Sequence, residues 1–200
     1  MPVTDDTSNG YEDVADIFIA RRGTRRATDD AIGAAVVRAW AEAFPSNATV
    51  LDLGSGPGEP STRILCDAGL MAYAVDASPK MVAAFRWRFP DVQIECNTVE
   101  ASDFFAREFD GVIAWGLLFL LEPAAQAHVI GKVGRALRPG GRFLFTAHKR
   151  PLEWLDAMTD RRSQSLGAET YERLLQDAGM VWVGVAEDEG ENHYYFAEKQ

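Results

Sequence analysis

Two hundred residues, 47% of them hydrophobic, are enough for one domain with a full core and too few for two comfortable ones. A formal charge of −10 leaves little to gain from counterion release, so neither nucleic acid nor an anionic membrane surface is expected as a partner. Cys66 and Cys96 have no metal-ligand spacing and read as buried free thiols of a cytoplasmic protein with no metal site, and neither an export signal nor an apolar run of roughly eighteen residues is found.

Residues 1–10 are polar. A helical pattern follows over 11–22, with Val14, Ala15, Phe18 and Ile19 on one face, and a second over 29–44, with Ile32, Val36, Val37, Trp40 and Phe44. Between them lies a basic cluster, Arg21, Arg22, Arg25 and Arg26. It can serve a ligand's carboxylate or an acidic substrate, or it can be a solvated turn. Residues 1–44 therefore read as a helical cap ahead of a core over 45–200.

The core opens on residues 49–59, TVLDLGSGPGE. An apolar strand breaks at Gly54, Gly56 and Gly58 into a helix entry, where bare backbone and free amides can approach a ligand. Glu59 stands where a dinucleotide fingerprint needs its third glycine, and Asp52 adds a second negative charge. Both suit an ammonium or sulfonium better than a phosphate. A helix over 60–68 ends at Gly69. The next strand ends in Asp76, a carboxylate able to accept two ribose hydroxyls, and Ser78 and Pro79 cap the following helix.

Strands are expected over 92–96, 109–115, 142–148, 181–186 and 193–197, with helices over 122–137 and 168–178. In an open α/β sheet ligands bind beyond the carboxyl ends of the strands, which places Trp115, Leu117, Leu118 and Phe119 in a pocket wall. Residues 149–167 lack periodicity and are long for a connection, so they read as a substrate lid.

In their order, these residues resemble the S-adenosylmethionine-dependent class I methyltransferases. Residues 52–58 match that family's first motif, and residues 74–79, with Asp76 closing strand two, match its second. The resemblance implies a doubly wound α/β fold, a seven-stranded mostly parallel sheet in the order 3-2-1-4-5-7-6 with strand seven antiparallel. It implies S-adenosyl-L-methionine as cofactor, bound by Asp52, Gly54, Ser55, Gly56, Gly58, Asp76 and Ala77. The Val99 backbone and the Glu100 side chain would meet the adenine, and Trp115 the methionine end.

Methyl transfer from a sulfonium asks chiefly for alignment and dryness, with a base only where the acceptor must lose a proton. His148 and His193 are the candidate bases, and Tyr11, Leu117 and Trp154 the candidate acceptor-pocket residues. The chain lacks the Asn/Asp-Pro-Pro-Tyr/Phe element of amino-methylating nucleic-acid and protein enzymes. A small, partly hydrophobic acceptor is expected, methylated on oxygen, nitrogen or carbon by a monomer or homodimer. A non-catalytic cofactor-binding module and a nicotinamide-dependent oxidoreductase are the alternatives.

Overall fold

The computed structural model describes residues 7–22 and 31–200. Its frame is a seven-stranded sheet in the order β3-β2-β1-β4-β5-β9-β8. The strands are β1 (Thr49–Leu53), β2 (Met71–Asp76), β3 (Gln93–Cys96), β4 (Phe109–Ala114), β5 (Leu137–Thr146), β8 (Met180–Glu187) and β9 (His193–Lys199). The first five run parallel, and β9 is antiparallel to both β5 and β8. This is the expected order, with β9 and β8 in the places of strands seven and six.

The central strands are apolar on both faces because helices cover both. Period-two alternation sends Leu51, Leu53, Val112, Phe143 and Phe145 to one side. There they meet Val129, Ile130 and Val133 of helix α5 (Pro123–Ala136) and Tyr171 and Leu175 of α6 (Ala168–Asp177). Val50, Ile113 and Leu144 face the other way, against Val37 and Trp40 of α2 (Ala34–Glu42) and Ile64 and Leu65 of α3 (Ser61–Asp67). Helix α4 (Pro79–Arg88) packs Phe85 on Ala74, and α1 (Tyr11–Arg22) lies outside the core with Ala15 as its buried residue. At the amino-terminal edge, the Asp110 carboxylate accepts from the Thr49 amide (2.7 Å) and pairs with Arg138 (2.5 Å), fixing β1 against β4 and β5.

Three details differ from the sequence reading. Residues 149–167 contain an antiparallel hairpin, β6 (Pro151–Leu155) and β7 (Arg162–Leu166), as a separate two-stranded sheet. Three consecutive residues of β7, Ser163, Gln164 and Ser165, are buried, so both faces of the strand are covered, and being polar they give no apolar alternation to read. Two of them are spent on fixed partners: Ser165 Oγ donates to the His148 carbonyl (2.6 Å) and Gln164 Nε2 to Glu122 Oε2 (3.2 Å). Helix α2 begins at Ala34; the expected start at residue 29, and Arg25 and Arg26, lie outside the described residues. Both cysteines are free, but Cys66 is half-buried and Cys96 exposed, because β3 is an edge strand. Among the described residues no helix is long and apolar enough to cross a membrane, and no cluster of side chains could hold a metal ion.

Candidate functional site

The loop after β1 is laced to the end of β2. The amides of Gly54 and Ser55 donate to the Val75 carbonyl (2.8 and 3.3 Å), and the Gly56 amide donates to Asp76 Oδ2 (2.7 Å). Asp76 Oδ1 accepts from the Ser78 amide (2.9 Å), so this carboxylate is oriented from both sides. Burial raises its pKa above the ordinary carboxylate value, while the amides of Ser78 and Gly56 pull it back down. Ser78 caps α4, its Oγ accepting from the Met81 amide (3.2 Å) and donating to Glu12 Oε2 (2.5 Å). That second contact seats α1 against the amino-terminal end of α4, where Glu12 Oε2 also accepts from the Lys80 amide (3.1 Å).

A cavity of about 250 Å³ opens above these groups, at the carboxyl ends of β1, β2 and β4. Its floor is Gly54, Ser55, Gly56, Asp76 and Ala77; one end is Thr98, Val99 and Glu100; the far wall is Trp115, Leu117 and Phe119; the roof is Tyr11, Phe18 and Arg22 of α1. Gly56 has φ +55°, and a Cβ placed there would meet only the Phe18 ring, in ordinary van der Waals contact at 3.6 Å. A ligand can therefore lie directly on the backbone. The 98–100 end is held from below by Lys132, whose ammonium donates to the carbonyls of Val99 (2.8 Å), Glu100 (2.8 Å) and Ser102 (2.5 Å). At the roof, the Tyr11 hydroxyl donates to Asp156 Oδ2 (3.3 Å), tying α1 to the β6–β7 turn. Burial first, and then Asp156, raise the Tyr11 pKa far above its ordinary value, so the phenol is neutral.

Gly54, Ser55, Gly56, Asp76, Ala77, Val99, Glu100, Trp115, Tyr11 and Leu117 are thus brought together around one cavity. Five other expected site residues stand apart from it. Asp52 is 1% exposed beneath the glycine loop, where its Oδ2 accepts from Ser61 Oγ (2.6 Å) and Thr62 Oγ1 (2.7 Å). Burial pushes its pKa up to about 6 despite those hydroxyls, and its role is to anchor the first turn of α3. Gly58 faces the core: a Cβ there would sit 2.4 Å from Phe89, so glycine serves helix packing. Trp154 stands one layer back, its ring 5.4 Å from that of Phe119.

His148 and His193 do not line the cavity. Beyond the end of β5 the chain turns into the hairpin, and His148 Nδ1 accepts from the Arg150 amide (3.1 Å). His193 Nε2 lies 3.0 Å from Glu187 Oε2 across the β8–β9 pair, at ion-pair distance without hydrogen-bond alignment. Phe18 was missed as a roof residue, and Arg22, weighed in the sequence only as part of a basic cluster, joins it there. The only signals available were the apolar face of the first helix and its basic end.

The residues fit a nucleoside carrying a sulfonium: a paired-amide carboxylate for a diol, bare backbone at Gly56, apolar walls, and no cationic cradle for phosphates on the floor. A sequence model of the methyltransferase domain matches residues 50–141. The chain is 34% identical over 106 residues to an uncharacterized methyltransferase of Synechocystis sp., covering 53% of this chain and 50% of that protein. It is 31% identical over 150 residues to a demethylmenaquinone methyltransferase of Beutenbergia cavernae, covering 74% and 57%. The chain thus spans about half the length of these curated relatives. Among solved structures, 1,6-didemethyltoxoflavin-N1-methyltransferase of Burkholderia thailandensis, with its acceptor and S-adenosylhomocysteine bound, superposes with a TM-score of 0.67 at 21% identity, covering 100% of this chain and 92% of that one. The cyclase SpnF superposes with a TM-score of 0.73 at 15% identity, covering 96% and 95%. At these identities the structural likeness speaks to fold alone.

Proposed function

Since the chain belongs to the S-adenosylmethionine-dependent class I methyltransferases, we propose that it methylates a small, partly hydrophobic molecule on oxygen, nitrogen or carbon. The observation that supports this most is the meeting of Asp76 and the Gly56 amide under a cavity at the carboxyl ends of the strands, walled on one side by Trp115, Leu117 and Phe119. S-adenosyl-L-methionine is the cofactor; when bound, it supplies a sulfonium methyl to the acceptor's lone pair, and the carbon–sulfur electron pair stays on sulfur.

The chain's own residues do the positioning. Asp76 accepts the ribose hydroxyls, Gly56 lets the nucleoside close on the backbone, and Val99 and Glu100 border the base on a loop pinned by Lys132. Trp115, Leu117 and Phe119 form the apolar wall beside the reacting centre, and Tyr11 and Phe18 cover it. No histidine borders this space, and the Tyr11 phenol is held neutral. The chain's contribution is therefore proximity and exclusion of water, and for an acceptor that must lose a proton the carboxylates bordering the space besides Asp76 are those of Glu59 and Glu100.

Calorimetric titration with S-adenosylhomocysteine, with reduced nicotinamide cofactor as control, tests the donor site, and formation of S-adenosylhomocysteine over acceptor pools tests turnover. Micromolar binding of the first ligand alone is expected. Binding without turnover on any acceptor would favour a non-catalytic module, and a fold shared with a cyclase makes turnover the necessary arm.

A further inference from the structure

A second cavity, about 400 Å³, adjoins the first and shares Arg22, Glu59, Pro60, Trp115, Gly116 and Phe119 with it. This is within the range of small-molecule sites, roughly 300–1,000 Å³. Its apolar surface comes from Trp115, Phe119 and Ile32, the last of which is 55% exposed with no partner in the core. Most of its polar side chains are already committed. Asn192 Nδ2 donates to the two oxygens of Asp188 (3.1 and 3.0 Å), Thr146 Oγ1 accepts from the Gly116 amide (2.8 Å), and the Glu59 carboxylate receives Arg63 Nε (3.2 Å).

Two guanidinium groups remain. Among the described residues Arg21 reaches the Met158 sulfur, at 3.8 Å, and Arg22 lies over the Phe18 ring, 4.9 Å from its centre. Among the described residues neither is at ion-pair distance from a carboxylate, in a chain with ten more acidic than basic side chains. A place at the carboxyl end of α1 gives both a favourable dipole contact, but that contact does not require them to border a chamber walled by aromatic rings. A planar fork with five donors matches a carboxylate in geometry as well as charge.

Resting on the methyltransferase reading above, we propose that the methyl acceptor is a small aromatic or aliphatic carboxylic acid. Its carboxylate sits against Arg21 and Arg22, and its apolar body lies on Trp115, Phe119 and Ile32, with the nucleophilic atom turned toward the first cavity. Arg21 borders only the outer cavity, so it reads acceptor binding apart from donor binding.

The test is calorimetry on the full chain loaded with S-adenosylhomocysteine, titrated with three acids and their amides: benzoate and benzamide, 2-naphthoate and 2-naphthamide, octanoate and octanamide. At least one acid is expected to bind about tenfold tighter than its amide, as a charge-assisted pair should. Arg21→Gln should abolish that preference at unchanged S-adenosylhomocysteine affinity, and Arg21→Lys should restore part of it. Acids and amides binding alike, neither binding, or a preference that survives Arg21→Gln overturns the acidic acceptor while the donor site stands. Failure of S-adenosylhomocysteine itself to bind overturns the methyltransferase reading and this proposal together.

Discussion

Asp52 is a carboxylate without solvent, and replacing it by asparagine should reveal what the charge costs. Its pKa rises from 3.8 to about 6 in the fold, because burial outweighs the two hydroxyls that donate to it. Between those values the native protein holds a proton that the unfolded chain has released, so stability falls as pH rises. That rise corresponds to about 3 kcal/mol, fully retained well below pH 4 and lost as pH rises through 6. Asparagine keeps an oxygen that can accept from Ser61 and Thr62 but carries no charge, and any mispaired amide proton adds an offset that does not change with pH. Urea unfolding of both proteins from about pH 4 to 8 should show the stability of Asp52→Asn relative to the parent rising by about 2 kcal/mol up to about pH 7, and level above it. A difference that is flat across this range would refute the assignment of a buried, strained charge.

Four further outcomes follow from the same geometry. Asp76→Ala removes the oriented acceptor for a diol and should weaken S-adenosylhomocysteine binding by about 1.5–3 kcal/mol, measured by calorimetry; unchanged affinity would remove Asp76 from the donor site. Gly56→Val places a branched side chain at φ +55° in the cavity, so binding should vanish while the circular dichroism spectrum keeps its α/β character; normal binding would make the loop purely structural. Lys132→Met strips three carbonyls of their donor and should destabilise by about 1–3 kcal/mol, with amide exchange at Val99–Ser102 accelerating before that of the sheet; uniform acceleration would mean the lysine braces the whole fold. His148→Ala and His193→Ala should each leave S-adenosylhomocysteine affinity within about twofold, and a larger loss would return that histidine to the site.

The sheet was legible because its strands are short apolar runs cut by glycine and proline, and because Ser78 and Pro79 announce a helix start that the Met81 amide confirms. The hairpin at 151–166 was not, since its buried residues are serine and glutamine, two of which are held by hydrogen bonds to the distant His148 carbonyl and Glu122 carboxylate rather than by apolar contact. Nor was the turn at Phe104–Ala106, where three consecutive non-glycine residues take positive φ, held by Ser102 Oγ and the Glu95 carboxylate. At the site, a motif reads as one string although its members do different work. Gly56 and Asp76 border the ligand space, whereas Asp52 and Gly58 brace the loop from behind. The histidines were placed by strand position, which does not tell on which side of a chain that is turning into a hairpin an imidazole will fall.

The bond between Tyr11 and Asp156 joins residues 145 positions apart. That contact connects α1 to the hairpin only once the intervening sheet is in place. The helix docks lightly, through peripheral polar contacts such as Lys80 with Asp16, with Ala15 as its buried anchor. Such a segment opens first under native conditions, well before the sheet. A ligand that fills the space beneath Phe18 adds the apolar contact that α1 otherwise lacks, so the chain's amino-terminal helix should gain more protection from proteolysis on ligand binding than any strand of the sheet.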